Sequence, residues 1–409
     1  MSLSEAKRGM GVSRLQSKLN HVLWVNEAAD FVGGCEQYIF NTVGLLREQG
    51  IRSTLLYDCL QKRFSADFVN VFDQAFPLVD VKTQVADICP DVVYVHRLSG
   101  GKVVRELKKT GIPTARFFHD YQLFCPREHR YTTFGRQTCS KPIGMRCYFP
   151  CFGFINRSDS RMGFRFTFVR ALRSEIKANQ DLDAFVVGSN YMAKLIAENG
   201  IDQQRIHAIP LYALPPETTL SVTREPGLLL FAGQLIRSKG IDTLLEALAL
   251  TEHPCRLAIA GHGRQEDMFR QMVKNLGIEE RVSFLGKLSH EELAEWFSKA
   301  TCVVVPSRYP ETFGLVGPEA MRYGAAIVGT SVGAISEWLD DGVTGILVPP
   351  NDARALAGAI GRLVQDPQRA VEMGAAGKRR YLEHFMPEMH IKILLALFRG
   401  LVRKGGVRV

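Results

Sequence analysis

The chain has 409 residues, 46% of them hydrophobic and 23% charged, with a net charge of +9. That length exceeds one ordinary core and points to two soluble globular domains, and it sets aside disordered and fibrous classes. No apolar run approaches the roughly 18 residues of a spanning helix. The first twenty residues hold no apolar core of signal-peptide length, so export is not expected and the nine cysteines are expected to be reduced. The positive excess favours an acidic partner: phosphates, nucleic acid or an anionic membrane surface.

Short apolar runs alternate with helical patterns from end to end, which predicts βα units around parallel sheets. "HVLWVN" (21–26) reads as a strand, and "FVGGCEQYIFNTVGLLREQG" (31–50) as a glycine turn followed by a helix. "PDVVYVH" (90–96), "IPTARFFHD" (112–120) and "LDAFVVGSN" (182–190) are further strand signals. Residues 211–226 carry Pro215, Pro216 and Pro226, with Pro210 just before, and read as a linker. The pattern then restarts with "LLLFAGQ", "CRLAIAGHG", "RVSFLG", "ATCVVVPS" and "GAAIVGTS". The expected fold class is therefore α/β, with two doubly wound Rossmann-like domains in tandem. Ligands in such domains bind at the C-terminal ends of the strands, so a cleft served by both is the default site. "HIKILLALFRGLVRK" (390–404) is an apolar helix too brief to span a bilayer.

The chemistry concentrates in "RYPETFGLVGPEAM" (308–321), where Glu311 and Glu319 stand eight apart. The same spacing recurs at Glu217 and Glu225 without other signals, so only context gives it meaning. A buried-strand signal precedes the stretch and a helix ending near Gly324 follows. Pro318 is tolerated in a first turn, which puts the helix start close to Gly314 or Leu315. Free amides around Phe313, Gly314 and Leu315 would then offer a phosphate seat. A carboxylate on either side can accept from paired hydroxyls. Sugar, diphosphate and ribose make up a nucleotide sugar. The plainer reading is that Glu319 favours the helix dipole and Glu311 is a solvated loop residue.

The ordered motifs "FAGQLIRSKGIDTLLEAL", "LAIAGHGRQEDM", "VSFLGKLSHEELAEWFSKA" and "PSRYPETFGLVGPEAMRYGAAIVGTSVGAISEWLDDGVTGILVPPND" resemble the donor-binding domain of family 4 glycosyltransferases, which have the GT-B fold. "FVGGCEQYIFNTVGLLREQG", "DVVYVHRL", "ARFFHDYQLFCP" and "DAFVVGSNYMAKLI" extend the resemblance over roughly residues 20 to 400. It implies a polar tail at 1–19, an acceptor-binding domain at 20–210, the linker at 211–226, a nucleotide-sugar domain at 227–385, and a C-terminal helix at 386–409 packing back across the domains. By resemblance, Glu311 holds hydroxyls of the donor sugar and Glu319 the ribose. Phe313, Gly314, Leu315 and Val316 offer amides to the phosphates, and Lys239 pairs with the diphosphate. Where the family usually has arginine after the strand glycine this chain has Gln234, so Arg237 is expected to supply the second cation. Gly33 and Gly34 would let the backbone approach the donor, or simply make a tight turn. His119, at the end of "ARFF", would hydrogen-bond near the transferred sugar, with Asp120 orienting it. Lys239 taken alone could equally be a surface lysine.

The implied activity is a retaining, metal-independent hexosyl transfer from a nucleoside diphosphate sugar to a hydroxyl acceptor, in polysaccharide or glycoconjugate synthesis. The alternative is an inactive nucleotide-sugar-binding scaffold. "AGHGRQE" puts Glu266 where a dinucleotide fingerprint needs its third glycine, which argues against a dehydrogenase, and no nucleic-acid module is present. "DLD" (Asp181, Asp183) precedes a strand rather than ending one and reads as strand entry. Cys125, Cys139, Cys147 and Cys151 fall within 27 residues and are a candidate zinc site, without the tight C-x2-C pair of strong cases. The plainer reading is reduced thiols in a long loop.

In "RSDSRMGFRFTFVRALRSEIK", Phe164, Phe168, Leu172 and Ile176 form a stripe at helical spacing beside Arg157, Arg161, Arg165, Arg170, Arg173 and Lys177. The stripe suits either an anionic membrane surface carrying a lipid-linked acceptor or a protein core. The expected location is cytoplasmic, peripheral on the inner face of the membrane.

Overall fold

The structure, a computed structural model, describes residues 19–58, 64–132, 138–157, 164–216 and 223–405. Most of the tail, Glu217 with the middle of the linker, and Arg161 lie outside the described residues. Strands β1 (His21–Asn26), β2 (Arg52–Tyr57), β3 (Gln74–Pro77), β4 (Val92–Val95), β5 (Thr114–Phe117), β6 (Ile155–Arg157), β7 (Phe164–Phe166), β8 (Ala184–Val187) and β9 (Ile206–Ala208) come first. They are followed by β10 (Glu225–Ala232), β11 (Arg256–Ala260), β12 (Val282–Gly286), β13 (Ala300–Val305), β14 (Ala326–Thr330) and β15 (Gly345–Val348). Among the described residues, seven strands form one sheet in the order β3-β2-β1-β4-β5-β8-β9, and six form a second, β12-β11-β10-β13-β14-β15. Strand pairs β1–β2, β1–β4, β2–β3 and β8–β9 of the first sheet and all five neighbouring pairs of the second are parallel. By contacts the chain falls into two compact units. One holds the residues up to Leu98, Glu106–Ala115 and those from Leu394; the other holds Ser99–Arg105 and Arg116–Ile393.

Every strand signal read from the sequence is a strand. Beyond them the sheets include β2, β3, β9 and β15. In β2, "RSTLLY", the buried polar residues obscure the apolar pattern. Each is satisfied by β1: Trp24 Nε1 donates to Ser53 Oγ (3.1 Å) and Thr54 Oγ1 bonds His21 Nε2 (2.8 Å). Buried polar groups are tolerated when they are hydrogen-bonded in this way.

The six-stranded sheet explains its own continuous apolar strands. In β10, Leu229 and Phe231 enter one core, while Leu228 and Leu230 enter another on the opposite face. Cys302 and Val304 of β13 alternate with Val303 and Val305 in the same way. A strand buried on both faces has no polar side to show. Helices Ile241–Leu250, Glu266–Asn275 and Ala353–Gln365 cover the first core, and helices His290–Lys299 and Val316–Arg322 help cover the second.

The stripe at 164–176 is divided. Phe164 sits in β7, which pairs antiparallel with β6, and the helix begins only at Val169. Its Val169, Leu172 and Ile176 are buried, so the helical part of the stripe is core, whereas Phe168 is exposed. Asp181 and Asp183 do precede β8.

Candidate active site

The site lies within the second unit, in the loops that leave β10, β13 and β14. Gly240 has φ +76°, and a Cβ there would stand 1.8 Å from the Pro306 carbonyl oxygen. Only glycine lets the Arg237–Lys239 turn approach the chain leaving β13 so closely. The amides of Arg308 and Tyr309 then donate to the Ser238 carbonyl at 2.9 and 3.3 Å. The buried Arg308 side chain ties the same loop to helix Ile241–Leu250, with Nη2 2.9 Å from Asp242 Oδ1 and 2.6 Å from Thr243 Oγ1.

This seam brings Lys239 to Glu311, 72 residues on in sequence, with Nζ 2.8 Å from Oε1. Ser307 Oγ also donates to Oε1 (2.5 Å), and the Tyr309 hydroxyl donates to Oε2 (2.8 Å). Lys239 Nζ donates to the same hydroxyl at 3.2 Å and lies 4.9 Å from the centroid of its ring. Glu311 is only 5% exposed. Burial pushes its carboxyl up, but the Lys239 charge and the hydrogen bonds from Lys239, Ser307 and Tyr309 outweigh it, leaving the group below its ordinary value. Burial lowers Lys239, but Glu311 and Tyr309 reverse this and hold it above its ordinary value. Burial and the neighbouring Glu311 push the Tyr309 hydroxyl up. At neutral pH the pair is ionised and Tyr309 is a neutral donor. A carboxylate offers about four acceptor positions and an ammonium three donors. The pair therefore keeps acceptor capacity on Oε2 and donor capacity on Nζ for a ligand.

Gly333 fixes the other side. With φ +59°, it sits so close that a Cβ would lie 2.3 Å from the Glu311 carbonyl oxygen and 2.4 Å from its nitrogen. Ala334 donates its amide to that carbonyl at 2.9 Å. The chain then turns through Gly314 (φ +89°) into helix Val316–Arg322, with Pro318 in the first turn as expected. Trp338, fully buried, donates Nε1 to the Phe313 carbonyl (2.6 Å) and lies where a Cβ on Gly317 would come within 2.4 Å of its ring. Among the described residues the amides of Gly314, Leu315 and Val316 have no backbone acceptor. Glu319 is half-buried and accepts no hydrogen bond there. Burial raises its carboxyl despite the opposing charges of Arg322 and His290.

Other loops of this unit grip the same segment. The Tyr121 hydroxyl donates to the Pro310 carbonyl (2.7 Å), and Ser189 Oγ to the Thr312 carbonyl (2.6 Å). His119 lies two residues beyond β5, half-buried, with its ring 3.8 Å from that of Phe117. Asp120 accepts the Gln122 amide at 2.9 Å. Arg237 is directed to Asp242, with Nε 3.6 Å from Oδ2, and Gln234 is exposed. In the first unit, Gly33 is extended and Gly34 opens helix Gly34–Glu48. A Cβ on Gly34 would meet nothing within 4 Å, so open space rather than crowding lies above this glycine.

Cys125, Cys139, Cys147 and Cys151 are half-buried thiols outside any disulfide. Burial raises the Cys147 thiol, and the other three add to the shift, so the four lie in one neighbourhood. No three of their sulfurs come within 4.8 Å of one another. Zinc at about 2.3 Å from each thiolate needs closer sulfurs, so the thiols as placed do not fit the metal.

Ser307, Tyr309, Gly333, Arg308, Asp242 and Trp338 were not singled out by sequence. Tyr309 stands two residues before Glu311, which is a usable signal. Arg308 and Asp242 are 66 residues apart, and no local pattern pairs them.

Residues 220–380 match the family described as glycosyl transferases group 1. Over 234 residues the chain is 33% identical to D-inositol 3-phosphate glycosyltransferase 1 of Catenulispora acidiphila, covering 52% of this chain and 56% of that protein. Over 193 residues it is 33% identical to glycogen synthase of Mycobacterium tuberculosis, covering 46% and 44%. The chain spans about half the length of the curated relatives it matches. HepE of Anabaena, solved with UDP, superposes with a TM-score of 0.69 at 16% identity, over 92% of this chain and 99% of that one. Sucrose-phosphate synthase of Thermosynechococcus elongatus gives 0.70 at 21%, over 94% and 100%. The two parallel Rossmann-like sheets are thus those of the GT-B fold. Over residues 220–380 the chain is similar to the glycosyl transferases group 1.

Proposed function

We propose that this protein is a retaining glycosyltransferase that moves a sugar from a nucleoside diphosphate sugar to a hydroxyl acceptor, in polysaccharide or glycoconjugate synthesis. The observation that carries the reading is the Lys239–Glu311 pair, 2.8 Å apart and held at the start of a glycine turn with free amides. Bond cleavage at the anomeric carbon leaves the electron pair on the diphosphate. A cation already fixed beside that oxygen stabilises the transition state without reorganisation. Lys239 keeps its proton and serves as that cation, with Arg237 as the second. The amides of Phe313, Gly314, Leu315 and Val316 receive the phosphates, Glu311 a sugar hydroxyl, and Glu319 the ribose. His119 hydrogen-bonds near the transferred sugar, and Gly33 and Gly34 let the backbone approach the donor. The departing phosphate takes the acceptor's proton.

HepE has been solved with UDP and glucose and with UDP-glucose, which makes UDP-glucose the first donor to try. The acceptor half is residues 20–210, and the acceptor is a lipid-linked hydroxyl met at the inner face of the membrane. Among the described residues no helix is long and apolar enough to cross a membrane. Zinc at the four cysteines requires their loops to draw the sulfurs together. Metal analysis of reduced, chelator-free protein tests it, and a stoichiometric zinc content is the result that supports it.

The decisive assay follows donor hydrolysis and transfer with UDP-, GDP- and ADP-sugars, in the wild type and in Lys239→Ala and Glu311→Ala. Removing a group that stabilises transition-state charge is expected to lower turnover about 10²–10³-fold. Near-normal turnover in both variants would refute the assignment. Donor binding without turnover in the wild type would favour the inactive scaffold.

A further inference from the structure

Residues 145–155 and 166–168 expose large apolar side chains one after another. Met145 and Phe149 are 75% and 72% exposed, and Phe166 and Phe168 are 52% and 55%. Phe152 and Ile155 are exposed as well. Two ring pairs and one strand register link most of these side chains. The rings of Phe149 and Phe152 are 5.6 Å apart, edge to face. Ile155 donates its amide to Phe152 and stands directly opposite Phe166 across the β6–β7 ribbon. Directly opposed residues of an antiparallel pair project to the same face. Phe166 in turn stacks on Phe168 at 6.5 Å. Single exposed hydrophobics need no explanation, but a contiguous patch on a two-stranded ribbon does.

Charge identifies what covers it. Lys141, Arg146, Arg165, Arg170, Arg173 and Lys177 are all exposed, whereas Glu175 is the only acid among the described residues from 138 to 180. Arg165 is paired to Glu128 at 2.5 Å. Lys141, Arg146, Arg170 and Lys177 have no acidic partner within 4 Å among the described residues. Apolar side chains bordered by unpaired cations complement a bilayer interface, where phenylalanines enter the acyl boundary and cations meet lipid phosphates.

We propose that the β6–β7 ribbon, with the segment leading to it and helix Val169–Asn179 behind it, docks this protein on an anionic lipid bilayer. This deepens the reading of a lipid-linked acceptor and rests on it for its purpose. The helix contributes charge only, because its apolar face is buried. The occupant is the membrane itself rather than a protein or a second copy of the chain.

The test uses the full chain and vesicles of phosphatidylglycerol and phosphatidylcholine in roughly equal amounts, with pure phosphatidylcholine as the control. The wild type is expected to sediment with the anionic vesicles and to release progressively as salt screens the charges. Phe149→Ser with Phe166→Ser, and separately Arg170→Glu with Lys177→Glu, are each expected to weaken partitioning about tenfold or more. These positions are exposed, so the fold is expected to survive, and a retained thermal shift with UDP-glucose checks it. Absence of vesicle binding in the wild type, or binding untouched by the phenylalanine pair, overturns the proposal. Lipid-free dimerisation abolished by the same pair also overturns it, in favour of a second copy. A donor shift without vesicle binding sinks this inference alone, while vesicle binding without any donor shift sinks the donor reading alone.

Discussion

Replacing Lys239 with methionine keeps most of the side-chain volume but removes the cation from a carboxylate that is 5% exposed. Breaking a buried ion pair by deleting one partner typically costs about 3–5 kcal/mol, because the other charge is left uncompensated. Two features reduce that here. The Lys239 side chain is 24% exposed, and Ser307 and Tyr309 still donate to Glu311. A loss of about 2–3 kcal/mol follows, or roughly 3–5 °C in the unfolding midpoint. The pH dependence separates this from a simple packing loss. In the wild type, the folded pKa of Glu311 lies below its ordinary 4.5 and that of Lys239 above its ordinary 10.5. The pair's contribution is therefore fully present between those two values. It is lost as pH falls through the folded value of Glu311 or rises through that of Lys239. In the variant the opposing cation is gone while burial, the largest cause, remains, so the folded pKa of Glu311 is expected to rise above its ordinary value. A raised carboxyl destabilises at neutral pH, and the deficit closes as Glu311 takes up its proton. Thermal unfolding scanned from neutral to acid pH measures this directly. Adding Glu311→Gln to Lys239→Met should restore at least half of the loss. A deficit below about 0.5 kcal/mol, or one that is unchanged with pH and untouched by Glu311→Gln, would refute the reasoning.

Gly333→Ala places a Cβ 2.3 Å from the Glu311 carbonyl oxygen at positive φ. It should cost about 1–3 kcal/mol and lower turnover as Glu311 shifts; unfolding and activity measured together check it. Tyr309→Phe removes one donor from Glu311 and one acceptor from Lys239. Stability should fall by about 1–2 kcal/mol and turnover by more than the stability loss explains, with the hydroxyl's effect read as kcat against KM. Trp338→Phe keeps an aromatic ring but loses part of the indole's volume and the 2.6 Å bond from Nε1 to the Phe313 carbonyl. A loss of about 1–3 kcal/mol is expected by chemical denaturation, with weaker donor binding by thermal shift.

Much of the fold was legible because the strands carry local marks. Those expected in the six-stranded sheet, apart from β12 with its exposed Ser283, are apolar on both faces, and all end in glycine, proline or serine. Strand β2 hid its nature because Ser53 and Thr54 are buried against partners that only β1 provides. The helical stripe left two readings open for a related reason: spacing shows that side chains share a face, not which neighbour takes that face. Leu172 and Ile176 went to the core, and Phe168 stayed in solvent beside the ribbon. The cysteine cluster shows the same limit, since nearness in sequence did not bring the sulfurs to metal-binding spacing.

By itself the sequence determined the doubly wound class, a helix start close to Gly314 or Leu315, and the identity of the charged residues around it. Periodicity, Pro318 and the glycines act within a few residues of themselves, so they can be read without a fold. Tertiary structure decided that Lys239 and Glu311 become one ionised pair, that Tyr309 and Ser307 complete it, and that Gly240, Gly333 and Arg308 hold the seam closed. The Lys239–Glu311, Gly240–Pro306 and Asp242–Arg308 contacts join segments 66 to 72 residues apart, and Gly333 meets Glu311 from 22 residues on. Their energy depends on burial and distance, and neither exists until the strands have paired.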